Sequence, residues 1–123
     1  MQIEDQVVSL ELAKKLKELG VNQDSLFWWC SPRENFYWVR YSPLKEFPVV
    51  CSAFTVAELG EMLPPFVTTE KYLCQGKPRF NTHEENSIEQ HSWHDDRESD
   101  ARAKMLIHLI KNKLIQFKQE GKS

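Results

Sequence analysis

The chain has 123 residues, of which 41% are hydrophobic and 28% charged, proportions typical of a globular domain rather than a disordered chain. Its 16 basic and 18 acidic side chains give a formal net charge of −2. A nucleic-acid-binding protein usually carries a basic face that neutralises several phosphates, and no stretch of this sequence supplies one.

The first predicted element is a helix over residues 9–19. Its apolar stripe recurs at helical spacing and comprises Val8, Leu12, Leu16 and Leu19. Ser9 is a plausible N-cap for this helix. Gly20 suits the left-handed position that ends a helix, with Val21 placed to pack back on Leu16.

An aromatic hairpin follows, with strands predicted at 26–30 and 36–41 and a loop at 31–35. Alternation places Phe36 and Trp38 on one face of the second strand, and Tyr37, Val39 and Tyr41 on the other. Because both faces carry large apolar groups, either both are covered or one is a contact surface. The interaction surface predicted here comprises Trp28, Trp29, Tyr37, Trp38 and Tyr41.

Residues 42–52 contain two prolines and are predicted to form an extended connection without regular structure. A second, short helix is predicted over 55–63. Thr55 and Glu58 have the spacing of a capping box at its start. The prolines at 64–65 end it, because neither ring nitrogen can donate a hydrogen bond.

A third strand is predicted at 70–75, with a return strand beginning at 79–81. The polar residues 82–87 indicate a loop, and 88–93 is interpreted as a weak fourth strand. A last helix follows, with a broad apolar stripe comprising Ala103, Met105, Leu106, Ile107, Leu109, Ile110, Leu114 and Phe117. Asp96 or Ser99 can cap its start.

The resulting order, helix, hairpin, helix, hairpin, helix, predicts one α+β domain over residues 1–123. The expected fold is an antiparallel sheet of about four strands, made of two hairpins and covered by three helices. The ends, 1–6 and 118–123, are expected to fray.

Metal binding is the sharpest chemical alternative, because imidazoles and carboxylates concentrate between residues 83 and 96. The candidate ligands are His83, His91, His94 and Asp95. If 88–94 is a strand, His91 and His94 point to opposite faces, since three residues is an odd step. A solvated loop explains the same composition without a metal.

No catalytic signature is found. Cys30, Cys51 and Cys74 form no CxxC pair and are interpreted as buried free thiols in a reducing compartment. Residues 55–63 have the character of the first helix of a helix-turn-helix, but 64–69 cannot supply a recognition helix. No apolar run approaches the roughly 20 residues that cross a bilayer, and the polar, acidic start is unlike a secretory signal.

Three stretches together carry a resemblance: 9–20, 53–64 and 100–110. They resemble small uncharacterised proteins of bacterial prophages and mobile elements, and the element order is similar to phage-type α-β-α sandwich domains. The matching residues are helix-core and capping residues, which specify a fold rather than a chemistry. The resemblance therefore implies a phage-related context and no catalytic residues.

The predicted function is that of a cytoplasmic, non-enzymatic accessory protein that binds a phage or host protein. No cofactor and no membrane association are expected, and a homodimer is left open. The alternative is a metal-binding protein that uses the histidine and acid cluster. A nucleic-acid-associated phage protein ranks third.

Overall fold

Two separate antiparallel sheets and three α-helices make up the part of the chain that the computed structural model describes, residues 3–41, 48–84 and 92–112. The elements are a 3-10 helix Ile3–Asp5, α1 Leu10–Glu18, β1 Trp28–Arg33, β2 Phe36–Arg40, β3 Val49–Ser52, α2 Val56–Met62, β4 Val67–Cys74, β5 Lys77–Glu84, β6 Ser92–Asp95 and α3 Glu98–Lys111. The first sheet has the order β2-β1-β3 and the second has the order β4-β5-β6.

The α+β class is confirmed, but the single sheet of about four strands is wrong. The first hairpin gains β3 from the segment 42–52 that was expected to lack regular structure, and β3 pairs with β1 through Trp29 opposite Cys51. Pro48 does not prevent this pairing, because proline lacks only the donor. Its carbonyl still accepts the Ser31 N–H at 3.0 Å.

The second hairpin also extends further than predicted. β5 runs through Glu84 and so includes the first residues of the loop expected at 82–87. Thr82 is fully buried there, and its hydroxyl is hydrogen-bonded to the Thr69 hydroxyl at 3.0 Å. Polar residues can therefore continue this strand because their side chains find partners on it. The fourth strand expected at 88–93 lies partly outside the described residues, which place β6 at Ser92–Asp95.

The predicted signals at the end of α1 and at the start of α2 are confirmed. Gly20 has φ 91°, and the Val21 N–H donates to the Leu16 carbonyl at 3.1 Å, which closes α1. At α2, the Glu58 N–H donates to Thr55 Oγ1 at 3.2 Å and the Thr55 N–H donates to Glu58 Oε1 at 2.9 Å. This is the capping box that the sequence predicts.

The last helix, α3, is buried on two opposite sides. Ala103, Leu106 and Ile107 belong to the core formed with α1, α2 and the inner face of the first sheet. Met105 and Leu109, both fully buried, lie on the opposite side of the helix, which packs against the second sheet. The one broad stripe of the sequence is therefore two faces, of which one packs against α1 and α2 and the other against the second sheet.

The first turn of α3 anchors the N-terminal segment. Asp100 Oδ1 accepts the Ser9 N–H at 2.7 Å, so that a carboxylate from α3 satisfies a backbone donor at the start of α1. Ser99 Oγ and Arg97 Nη2 donate to the Val7 carbonyl at 2.9 and 2.6 Å. Arg97 also donates to the Glu4 carbonyl, within the segment 1–6 that was expected to fray.

The N-cap of α3 is Arg97, and neither Asp96 nor Ser99 caps the helix as the sequence suggests. Ser99 lies inside the first turn, where its hydroxyl bonds Val7 instead. Ser9 occupies the N-cap position of α1 as predicted, although its side chain makes no capping bond. The Ser99 hydroxyl therefore forms a tertiary hydrogen bond in place of a local capping bond.

Arg102 joins α2, α3 and the second sheet. Its guanidinium donates to the Val56 carbonyl at 2.8 Å and to Thr69 Oγ1 at 3.2 Å, and it forms an ion pair with Glu98. Gly60 on α2 leaves room for this group, since a Cβ at Gly60 would collide with Arg102 Nη1.

We expect Gly60→Ala to lower the free energy of unfolding by about 1 kcal/mol, because losing a hydrogen bond of the charged Arg102 guanidinium costs about 1.5–3 kcal/mol and outweighs the helix propensity gained. Alanine normally stabilises a helix interior over glycine by about 1 kcal/mol. In an Arg102→Met background the collision is absent, so Gly60→Ala should become stabilising. Urea unfolding of the four proteins of this double-mutant cycle measures the change of sign, and an equal effect in both backgrounds would contradict it.

Asp100 makes stability depend on pH. Burial raises the pKa of Asp100, although the Ser9 N–H and Arg97 oppose the shift. Because the folded-state pKa is raised, this group favours the folded state at acid pH, and that contribution is lost as pH rises through the folded pKa. The free energy of unfolding of the wild type, minus that of Asp100→Asn, should therefore be larger at about pH 4 than at about pH 7. Urea unfolding of both proteins measures this difference, and an equal difference at the two pH values would refute the prediction.

Candidate functional site

Aromatic and arginine side chains share the outer face of the first sheet. In its register, Trp28 lies opposite Arg40, Cys30 lies opposite Trp38, and Arg33 lies opposite Phe36. Directly opposed residues point to the same side of an antiparallel sheet. We call Trp28, Arg33, Phe36, Trp38 and Arg40 the aromatic–arginine face.

Both arginines of the aromatic–arginine face lie over aromatic rings. The Arg33 guanidinium carbon is 4.2 Å from the centre of the Phe36 ring, and that of Arg40 is 4.7 Å from the Trp38 ring. Phe36 is 44% exposed and Trp38 is 39% exposed. Such contacts orient a cation on an open surface and are each worth roughly 0.5–1 kcal/mol.

The inner face of the same sheet belongs to the core. Trp29 is buried there with Val39 and Cys51, and its indole N–H donates to the Val8 carbonyl at 3.0 Å. Tyr37 lies on the inner side but is partly exposed, with Lys14 Nζ 5.2 Å from its ring centre. Trp29 therefore serves packing and is not available to a partner.

The five residues predicted as an interaction surface are thus divided. Trp28 and Trp38 lie on the aromatic–arginine face, Trp29 and Tyr37 lie on the inner side, and Tyr41 follows the end of β2. Tyr41 is 68% exposed and contacts Phe27 edge-on. The sequence interpretation omitted Phe36, Arg33 and Arg40, although Phe36, Trp38 and Arg40 share strand parity.

The two buried cysteines, Cys30 and Cys51, lack the environment of a nucleophile. Burial raises the pKa of Cys30 despite the nearby Arg40 charge, and it raises the pKa of Cys51 despite Lys17 and Lys14. Both thiols therefore stay protonated at neutral pH. Cys74 was expected to be buried, but it is exposed because it ends β4 beside the hairpin turn.

The structure divides the predicted metal ligands between two faces of the second sheet. His83 and His94 lie on the outer face, where His83 Nε2 is 3.1 Å from Thr68 Oγ1 and His94 Nδ1 is 2.9 Å from the Tyr72 hydroxyl. Asp95 lies on the opposite face and pairs with Lys104 at 2.7 Å.

Burial by itself would raise the pKa of Asp95, but hydrogen bonds from Lys104 and the Arg97 N–H outweigh burial and lower it. No three histidine, cysteine or acidic residues within 3–41, 48–84 and 92–112 lie close enough to hold a metal. His91 lies outside those ranges, so the metal site stays a prediction.

The segment after α2 is strand β4 and not a recognition helix, as the prolines at 64–65 indicate. Of the helices in the described ranges, none has the length and apolarity that crossing a bilayer requires.

Comparisons of the chain with protein-family models, curated proteins and solved structures find no match.

The two tryptophans of β1 and β2 should respond differently to substitution. Trp29→Phe removes the donor to the Val8 carbonyl and leaves a small cavity, so we expect a loss of about 1–3 kcal/mol. Trp38→Phe keeps a ring beneath Arg40 on an exposed face and should stay within about 0.5 kcal/mol of wild type. Urea unfolding measures both, and equal losses would contradict the assignment of the two faces.

Proposed function

We propose that this protein is a cytoplasmic, non-enzymatic module that binds an acidic segment of another protein on its aromatic–arginine face. The observation that carries the proposal is the pair of guanidinium groups stacked on the exposed Phe36 and Trp38 rings. Tryptophan and arginine are two of the residue types that dominate binding energy at protein interfaces.

The chemistry of a stacked guanidinium favours a carboxylate partner. The Phe36 ring covers one face of the Arg33 guanidinium, and a carboxylate in the plane of that group can accept two of its N–H groups. Within the described part of the chain, no carboxylate forms an ion pair with Arg33. Aspartate or glutamate in a partner segment would supply that group, and neighbouring apolar side chains would cover Trp38.

Two other occupants fit less well. A nucleic acid also offers acceptors for arginine, but electrostatic binding of this kind needs several cations, and the chain has a net charge of −2. A second copy of the chain would bring Arg33 and Arg40 against the same basic groups in a symmetric interface. A phage or host protein is the source that the prophage-like sequence features favour.

The test uses a displayed library of random 15-residue peptides, selected on the wild-type protein. We expect enrichment of peptides that combine aspartate or glutamate with large apolar residues. Trp38→Ser should weaken binding of the selected peptides about 30-fold, as expected for a hot-spot tryptophan worth about 2 kcal/mol. Arg33→Gln should weaken them as well, and both effects are measured by fluorescence anisotropy.

Trp93→Ser is the matched control, because Trp93 on β6 is 37% exposed and Trp38 is 39% exposed. It should leave peptide affinity unchanged. The proposal fails if no acidic peptide is enriched, or if Trp93→Ser weakens binding as much as Trp38→Ser. Competition by an oligothymidylate of 15 nucleotides at equal or lower concentration would favour the nucleic-acid alternative instead.

A further inference from the structure

A cleft of about 900 Å3 is lined by none of the residues of the aromatic–arginine face. One wall is the β4–β5 hairpin, which contributes Lys71, Pro78 and Phe80. The facing wall is formed by residues 5–6 and 55–57, and the starting turn of α3 closes one end. Its volume lies within the range of sites that enclose small organic ligands.

The walls of the cleft are mainly apolar. Phe80 and Pro78 face Val56 and Ala57 across the gap. Phe80 is only half-buried and Pro78 is exposed, so a ligand with apolar side chains would remove both from water. Arg102 fixes the two walls relative to one another, since it hydrogen-bonds Val56 on one and Thr69 on the other.

Most charges around the cleft are already neutralised by neighbours. Asp96 pairs with Arg79 at 3.2 Å, Glu98 pairs with Arg102 at 3.2 Å, and Arg97 is held by backbone carbonyls and by Asp100. These groups are therefore already paired within the chain.

Two charges of opposite sign are not neutralised. Lys71 lies opposite Phe80 in the sheet register, which places it on the cleft side of the hairpin. Asp5 lies in the 3-10 helix on the facing wall. Among the residues that the structure describes, the side chains of Lys71 and Asp5 form no hydrogen bond or ion pair with each other or with a neighbour.

We propose that the cleft binds a short apolar peptide with free termini. Its carboxylate is placed at Lys71, its ammonium group at Asp5, and its side chains lie between Phe80 and Val56. Lys71 and Asp5 are both exposed, and a peptide with free termini offers an opposite charge to each of them, whereas a simple organic acid or amine pairs with only one of the two. This site is separate from the aromatic–arginine face and does not depend on the function proposed for it.

The probes are dileucine, trileucine and tetraleucine, titrated into isotope-labelled full-length protein while amide chemical shifts are recorded. We expect saturable shifts at Val56, Lys71 and Phe80 for at least one of the three peptides. Acetylating its amino end or amidating its carboxyl end should each weaken binding about tenfold, because each removes one charge contact.

Variants assign each terminus to its partner. Lys71→Gln should weaken the free peptide about tenfold but should not further weaken the amidated peptide, since that contact is already lost. Asp5→Asn should show the same relation to the acetylated peptide. Lys77→Gln, on the same hairpin but outside the cleft lining, is the matched control and should leave affinity unchanged.

The proposal is overturned if none of the three peptides produces saturable shifts at millimolar concentration. It is also overturned if the blocked peptides bind as well as the free ones, because the cleft would then accept apolar groups without recognising termini. Trp38→Ser changes the aromatic–arginine face and not the cleft, so it should not alter trileucine binding. A failure of the cleft proposal is therefore distinguishable from a failure of the proposed function.

Discussion

The two-sided burial of α3 is the constraint on which the remaining structure depends. Leu106 and Ile107 pack toward α1 and α2, in the same core as the inner face of the first sheet, whereas Met105 and Leu109 pack toward the second sheet. Within the part of the chain described, α3 packs directly on the second sheet, whereas α1 contacts both α3 and strand β3 of the first sheet. Because three strands with one open face bury little surface by themselves, each sheet needs an apolar helix face, which α3 supplies to the second sheet and α1 supplies to the first.

This arrangement leaves the outer faces of both sheets toward solvent, and the two faces differ in chemistry. The second sheet presents Thr68, Tyr72, His83 and His94, which hydrogen-bond one another as expected of a solvated face. The first sheet presents tryptophan, phenylalanine and arginine. Burial against helices cannot explain aromatic groups on an outer face, which is why the aromatic–arginine face is the better candidate for a partner.

Local signals predicted the helices well and the strands less well. The Thr55 and Glu58 capping box and the left-handed Gly20 are written in a few neighbouring residues, so their structural meaning does not depend on the rest of the chain. β3 and β6 have only four residues each, and each is a strand because a longer neighbour pairs with it. Short segments of this kind carry too little periodicity to be assigned from sequence. The same limit applies to Trp29 and Trp38, whose roles depend on which face the helices cover.

The sequence by itself determined the α+β class, the positions of the helices and the strand parity that joins Trp38 to Phe36. These follow from propensity, capping and periodicity, which act over a few residues. Only the tertiary structure decided that there are two sheets, that Asp100 serves the start of α1, and that Lys71 and Asp5 face one cleft. Those relations join residues up to 91 positions apart, as in the bond from Ser9 to Asp100. They arise from contacts between segments that are distant in the sequence, and no local pattern encodes them.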